Sequence, residues 1–160
     1  MTINKTELQD ILIGDVWLSS GQSNMELPIS RTLDLYKKEV ENAVNPNIRL
    51  FRVPMKYSFK QEENDLQGGE WKSVTPDNIL DFSAVSYFFA KEIYDKYNVP
   101  VGIISTAIGG SPAEAWLSED ALRNYPNHLA TLSLTANDAY VDSVRQTESA
   151  QTKQWQSQLS

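Results

Sequence analysis

One short stretch carries residues able to do nucleophilic chemistry: Gln22, Ser23 and Asn24, placed directly after Gly21 in Gly14-Asp-Val-Trp-Leu-Ser-Ser-Gly-Gln-Ser-Asn-Met25. A serine hydroxyl attacks an acyl carbon only when the backbone holds it clear of its own element, and a sharp strand-to-helix turn does this. Glycine at position 21 gives such a turn its backbone freedom. The same pattern also suits a plain helix cap, because Ser and Asn satisfy free N–H groups of a first turn. A second stretch, Ile108-Gly109-Gly110-Ser111-Pro112, closes another apolar run. Two glycines there make a tight turn, or leave a peptide N–H free to stabilise an oxyanion. The chain holds a single histidine, His128, in Tyr125-Pro-Asn-His128-Leu129. A lone loop histidine is a candidate base, but is more often an exposed, idle side chain.

These residues need a scaffold. Ile11-Leu-Ile13 and Val16-Trp-Leu18 read as one buried strand, or as a strand pair broken at Gly14-Asp15. In open α/β sheets ligands bind beyond the carboxyl ends of strands, which is where Ser23 then sits. Leu33, Tyr36, Val40 and Val44 recur at helical spacing until Asn45-Pro-Asn47. Ile48 to Val53 reads as a second strand, Met55 to Glu70 as a loop or short hairpin, and Trp71 to Val74 as a short strand. The clearest helix begins at Ser83 as N-cap and ends at Asn98, with Val85, Phe88, Phe89, Ile93 and Tyr97 as its core stripe. Val101 to Ala107 is a continuous apolar run, as expected of a strand buried on both faces of a parallel sheet. The alternation of strands and helices implies βαβ crossovers and an α/β class. Ser118 caps a further helix, and beyond Asn127 the chain turns polar, with Tyr140, Val141, Val144 and Trp155 marking a thin helical stripe.

Gly14-Asp-Val-Trp-Leu18 followed by Ser20-Gly-Gln-Ser-Asn-Met-Glu26 resembles the first block of the SGNH hydrolases, most closely the branch containing the sialate O-acetylesterases and related carbohydrate esterases. Gly109-Gly-Ser-Pro112 with Glu114-Ala-Trp116 resembles the second block, and Phe82 to Lys91 and Val99 to Gly102 match the same branch. The resemblance spans about residues 10–118. It implies a three-layer αβα, flavodoxin-like parallel sheet, present here only in part. It implies Ser23 as nucleophile and Gly110, or next Gly109, as oxyanion donor. Gln22, Asn24, Gly109 and Glu114 flank the blocks as candidates for orienting the turns or touching substrate, with Trp71 or Trp116 as aromatic lining for a sugar. The branch usually has Cys where this chain has Ser19. Its Asp-x-x-His block and its Gly-Glu-Ser-Asn block do not occur in the 160 residues. Residues 1–126 are therefore expected to be the N-terminal part of an SGNH domain. Residues 127–160 are expected to be a helical segment leading to an absent C-terminal half.

The implied activity is removal of acetyl esters from sugars, without cofactor or metal. The alternative is a non-catalytic carbohydrate-binding or assembly module on the same scaffold. A 41% hydrophobic share fits a globular domain, and the net charge of −7 argues against a nucleic-acid or anionic-membrane partner. The lack of cysteine removes disulfides and thiol catalysis and leaves the redox compartment open. No apolar run approaches the ~20 residues of a membrane span, and Met1 to Glu7 has no signal-peptide pattern. The compartment is thus open, extracytoplasmic by family analogy. The expected partners are an acetylated sugar and either the missing half or a second copy, because a sheet of about three strands leaves edges and an apolar face uncovered.

Overall fold

The computed structural model describes residues 2–3, 6–61 and 63–159. The expectation for Met1 to Glu7 falls partly on positions 1, 4 and 5, outside the described residues. The chain divides into two compact units, residues 1–55 with 65–111 and residues 56–64 with 112–160.

The first unit opens with a two-residue antiparallel pair, β1 (Thr2–Ile3) and β2 (Thr6–Glu7). Then come β3 (Asp15–Ser19), the single turn α1 (Ser23–Glu26), α2 (Leu33–Glu41), β4 (Asn45–Arg52), β5 (Trp71–Val74), α3 (Ala84–Tyr97) and β6 (Val101–Ser105). The main sheet is four-stranded in the order β3-β6-β4-β5. β3, β6 and β4 run parallel, with Asp15 and Ile48 both opposite Val101. β5 returns antiparallel on β4, pairing Trp71 with Phe51. The α/β class and its parallel centre are as the sequence implies, and the short Trp71 stretch makes the sheet mixed.

One face of the sheet is sealed. Ile48, Leu50, Val74, Val101 and Ile103 point to it and are buried with Val40 of α2 and Tyr87 and Ala90 of α3. The stripe expected on α3 is met in part: Phe88 and Ile93 pack against the core, but the buried face is turned from the rest. Val85, Phe89 and Tyr97 are largely exposed, while Ala84, Ser86, Tyr87 and Ala90 are buried. Small residues let the helix backbone approach the strands closely, so Ala84, Ser86 and Ala90 line the contact, while Phe89 meets the sheet edge-on at Trp17 of β3, ring centroids 5.1 Å apart. The caps follow expectation: Ser83 Oγ accepts from Ser86 N at 3.2 Å, and Asn98 takes the left-handed conformation, φ 50°. α2 is interrupted at Tyr36, where φ is −126°.

The opposite face differs from what the apolar runs imply. Parallel register puts Val16, Leu18, Gly102, Ile104 and Phe51 together on it. Val16 is 62% and Leu18 70% exposed, so β3 is not a buried strand in this unit. No helix of the unit packs on that face, and no strand flanks β3 on its outer side among the described residues. Trp71 lies there, its ring where a Cβ on Gly102 would meet it at 3.2 Å. Arg49 reaches the N-terminal segment, donating to the Asp10 carbonyl at 2.9 Å and to its carboxylate at 2.7 Å.

The second unit is helical: α4 (Glu119–Leu122), α5 (Pro126–Thr135) and α6 (Asp138–Gln158). Ser118 caps α4 through Ala121 N at 3.3 Å, and Asn137 caps α6 through Ala139 N at 3.0 Å. Residues 56–64 join this unit: Lys60 Nζ lies 2.6 Å from Asp138 Oδ2, and Arg145 sits 5.7 Å over the Tyr57 ring. α5 and α6 bury no residue, as the thin stripe foretells.

Candidate active site

β3 ends at Ser19, and Gly21, with φ 146°, turns the chain into α1. Gln22 is the N-cap residue, its carbonyl accepting from Met25 N at 3.0 Å and Glu26 N at 2.9 Å. Ser23 is the first helical residue and is exposed. An N–H at this position has no acceptor within the helix. The Ser23 hydroxyl has no hydrogen-bond partner among the described residues. It therefore meets the mechanical requirement for a nucleophile: a hydroxyl clear of the sheet, beyond a carboxyl strand end.

The neighbouring strand β6 ends beside it. Ile108 N donates to Gly21 O at 2.9 Å, which joins the two turns. Residues 108–111 form a turn closed by Ser111 N on Ile108 O at 3.4 Å, with Gly110 at φ 80°, the region that favours glycine at the third position. Ser111 Oγ also donates to Ile108 O at 2.7 Å, and Gln22 Nε2 donates to Ser111 O. The Gly109 N–H donates to Glu26 Oε2 at 2.5 Å. The Gly110 N–H has no partner among the described residues. A Cβ at Gly109 would stand 2.7 Å from Glu26 Oε2 and 3.4 Å from Ser23 Cα and Cβ, so a side chain there would displace the Glu26 carboxylate.

Beneath the turn lies a buried hydroxyl cluster. Ser19 Oγ is 2.5 Å from Ser86 Oγ, which donates to Ser83 Oγ at 3.0 Å and approaches Met25 Sδ at 3.8 Å. Serine at position 19 thus has a polar partner on α3, which satisfies a group that would be costly to bury alone. Ser86 and Glu26 are the contributors the motif reading passed over. Glu26 stood inside the quoted block at i+3 from Ser23, a spacing that puts both on one side of a helical turn.

Gln22 is tied to Ser111, while the Asn24 side chain is exposed and has no partner among the described residues. Glu114 and His128 belong to the second unit and meet each other: Glu114 Oε1 is 3.6 Å from His128 Nδ1, with 41% and 42% of the two side chains exposed. Trp71 is committed to the sheet over Gly102, towards the amino end of β6 and away from the end that carries Ser23. No cluster of His, Cys, Asp and Glu able to hold a metal ion occurs among the described residues. Among the same residues, no helix is long and apolar enough to cross a membrane.

An exposed serine and an unpaired glycine N–H thus lie at adjacent strand ends of a mixed α/β sheet. The sequence matches the family described as carbohydrate esterase, sialic acid-specific acetylesterase, over residues 13–158, and the chain belongs to that family. It is 35% identical over 130 residues to the sialate O-acetylesterase of Rattus norvegicus, covering 76% of this chain and 24% of that protein. The Homo sapiens sialate O-acetylesterase is 31% identical over 122 residues, covering 72% of this chain and 23% of that one. A crystal structure of a carbohydrate acetylesterase from Xanthomonas citri superposes with a TM-score of 0.67 at 43% identity, covering 74% of this chain and 27% of that one. The chain spans about a quarter of the length of the curated relatives it matches.

Proposed function

We propose that this chain carries the nucleophile and part of the oxyanion hole of a serine-dependent carbohydrate O-acetylesterase of SGNH type. Ser23 Oγ attacks the acetyl carbonyl, the carbon–oxygen bond to the sugar breaks, and water then hydrolyses the acetyl-serine. The oxyanion is held by the Ser23 and Gly110 N–H groups. The observation that carries this is the pairing of an unpartnered Ser23 hydroxyl with an unpartnered Gly110 N–H across the joined turns at 21–23 and 108–111. Two peptide donors aimed at developing charge are worth several kcal/mol, about 3 for each donor removed. Between the two glycines the hydrogen bonds favour Gly110, because the Gly109 N–H is already engaged.

The substrate class, acetylated sugars, rests on the relatives' names, with a sialate as the first candidate. Asn24 is the flanking side chain free to touch it. The base is the open part of the site. Glu114 and His128 form a carboxylate–imidazole pair, but the resemblance assigns the base to an Asp-x-x-His block that these 160 residues lack. Further polypeptide or a second copy is the partner this unit calls for, a reading supported by the uncovered face at Val16 and Leu18. An extracytoplasmic setting follows from family analogy.

The test is hydrolysis of 4-nitrophenyl acetate and of an O-acetylated sialic acid by this chain and by Ser23→Ala, with mass spectrometry after a fluorophosphonate probe. Turnover and labelling that vanish together in Ser23→Ala support the reading and locate the base within the chain. Turnover that survives the substitution overturns Ser23 as nucleophile. Absence of both in the unaltered chain assigns the base to another polypeptide.

A further inference from the structure

We propose that Glu26 is a positioning residue for the oxyanion hole, an inference that rests on the esterase reading above. Its carboxylate takes the Gly109 N–H and so leaves the Gly110 N–H as the free donor of the 108–111 turn.

Three adjacent strand ends meet at this side chain. Glu26 is carried on α1, directly after β3. Its Oε2 accepts from Gly109 N, after β6, at 2.5 Å, and its Oε1 lies 3.6 Å from Arg52 Nη2, at the end of β4. The turn needs such a hold. Gly109 and Gly110 are the residues with most backbone freedom to lose, and Gly110 sits at φ 80°. The other anchors of the turn, Ile108 N on Gly21 O and Gln22 Nε2 on Ser111 O, fix its two ends. Glu26 holds the peptide in its middle. A hydrogen bond to a carboxylate is roughly twice as strong as a neutral one. It is also selective: with Gly109 engaged, an incoming oxyanion meets one oriented donor here instead of two competing ones.

The carboxylate carries a cost. A negative charge beside the oxyanion site would oppose the charge that develops there. Arg52 is placed to offset it, with its side chain 59% exposed and that of Glu26 32%. A surface pair of this kind adds little to stability, about 0–1 kcal/mol. Its role here is to hold and neutralise, and that separates a positioning residue from a merely structural one.

The test uses this chain, labelled with 15N and with the Gly109 and Gly110 amides assigned. The Gly109 amide is expected downfield in the unaltered chain, as a proton held by a carboxylate is, and to move upfield and exchange faster in Glu26→Ala, which removes the acceptor. Glu26→Gln, which keeps an acceptor oxygen without the charge, retains a smaller downfield shift. Gly110 in the unaltered protein exchanges its proton fast, as an unbonded amide does. Where the esterase assay shows Ser23-dependent turnover, Glu26→Gln lowers kcat about tenfold with KM within twofold, and Arg52→Met lowers it less. A Gly109 amide with the same shift and exchange rate in Glu26→Ala overturns the proposal whatever the turnover. A Gly109 amide that responds to Glu26→Ala with kcat unchanged in Glu26→Gln also overturns it, leaving the contact as a fold element. A responding Gly109 amide with turnover that does not depend on Ser23 overturns the esterase reading, and with it the positioning role, while the contact stands.

Discussion

The turns at 21–26 and 108–111 and the Glu114–His128 pair both bring reactive residue types together, but by different physics. In the first region the backbone does the work. Gly21 O, Ile108 N, Ser111 O and Gly109 N are all engaged, over a buried hydroxyl cluster and a sealed sheet face. What remains unpaired, Ser23 Oγ and Gly110 N–H, is unpaired against a fixed frame. In the second region two long side chains meet at 3.6 Å on an exposed surface, on elements that bury little. A reactive pair is a site only when its surroundings hold it; a contact between mobile surface groups is worth a few tenths of a kcal/mol.

That contrast can be broken, starting with the largest effect. Ser23→Ala should remove Ser23-dependent ester hydrolysis by at least about 10³-fold, with little change in thermal unfolding; a fall in stability instead would mean the turn needs the hydroxyl. Next, Gly109→Ala should lower that activity by about the same factor as Glu26→Gln, because the added methyl displaces the carboxylate that holds the Gly109 N–H. The added methyl meets Glu26 Oε2 at 2.7 Å, the end of a side chain that can swing aside, so urea unfolding should report no more than about 1 kcal/mol of destabilisation.

Ile103→Ala should cost about 2–5 kcal/mol in the same experiment, because the side chain is 2% exposed in the sealed face. Leu18→Ala, on the uncovered face, should cost far less, and equal costs would mean that face is also sealed in solution. Tyr87→Phe removes a 2.7 Å hydrogen bond to Glu39 and should cost about 1 kcal/mol. Burial, then that bond, push the Tyr87 phenol above its ordinary value of 10.0. The protonated phenol is therefore favoured in the fold, and its stabilisation is full below about pH 10 and lost as pH rises further. An alkaline unfolding series should show this loss in the unaltered chain and not in Tyr87→Phe.

The smallest effect sharpens the comparison from the other side. His128→Ala should change stability by less than about 0.5 kcal/mol, as an exposed surface substitution does. A large loss of turnover would make His128 the base and overturn the contrast drawn here.

Much of this was legible in the residues. Ser83 and Asn98 bound α3 as their types foretell, because capping is local chemistry between a side chain and the nearest peptide groups. The Gly109-Gly110 pair marked a turn, and φ 80° at 110 bears out the need for glycine there. The rotated face of α3 was not legible, since Val85 and Phe89 satisfy the same periodicity as Ala84, Tyr87 and Ala90. Hydrophobicity alone does not say which stripe the sheet can approach. Nor was the exposure of Val16 and Leu18, because an apolar run records what a strand is able to bury and not what covers it.

The sequence by itself determined the local devices: a glycine-bounded serine turn, a glycine pair after a strand, the helix caps and the alternation of strands and helices. Each depends on residues within a few positions of one another. Only the tertiary structure decided that β6 lies between β3 and β4, and so that Gly109 falls beside Ser23 and Glu26, more than eighty residues away in the chain. Strand order is set by long-range pairing and by which faces become sealed, and these are energies of the whole sheet. No single segment carries them.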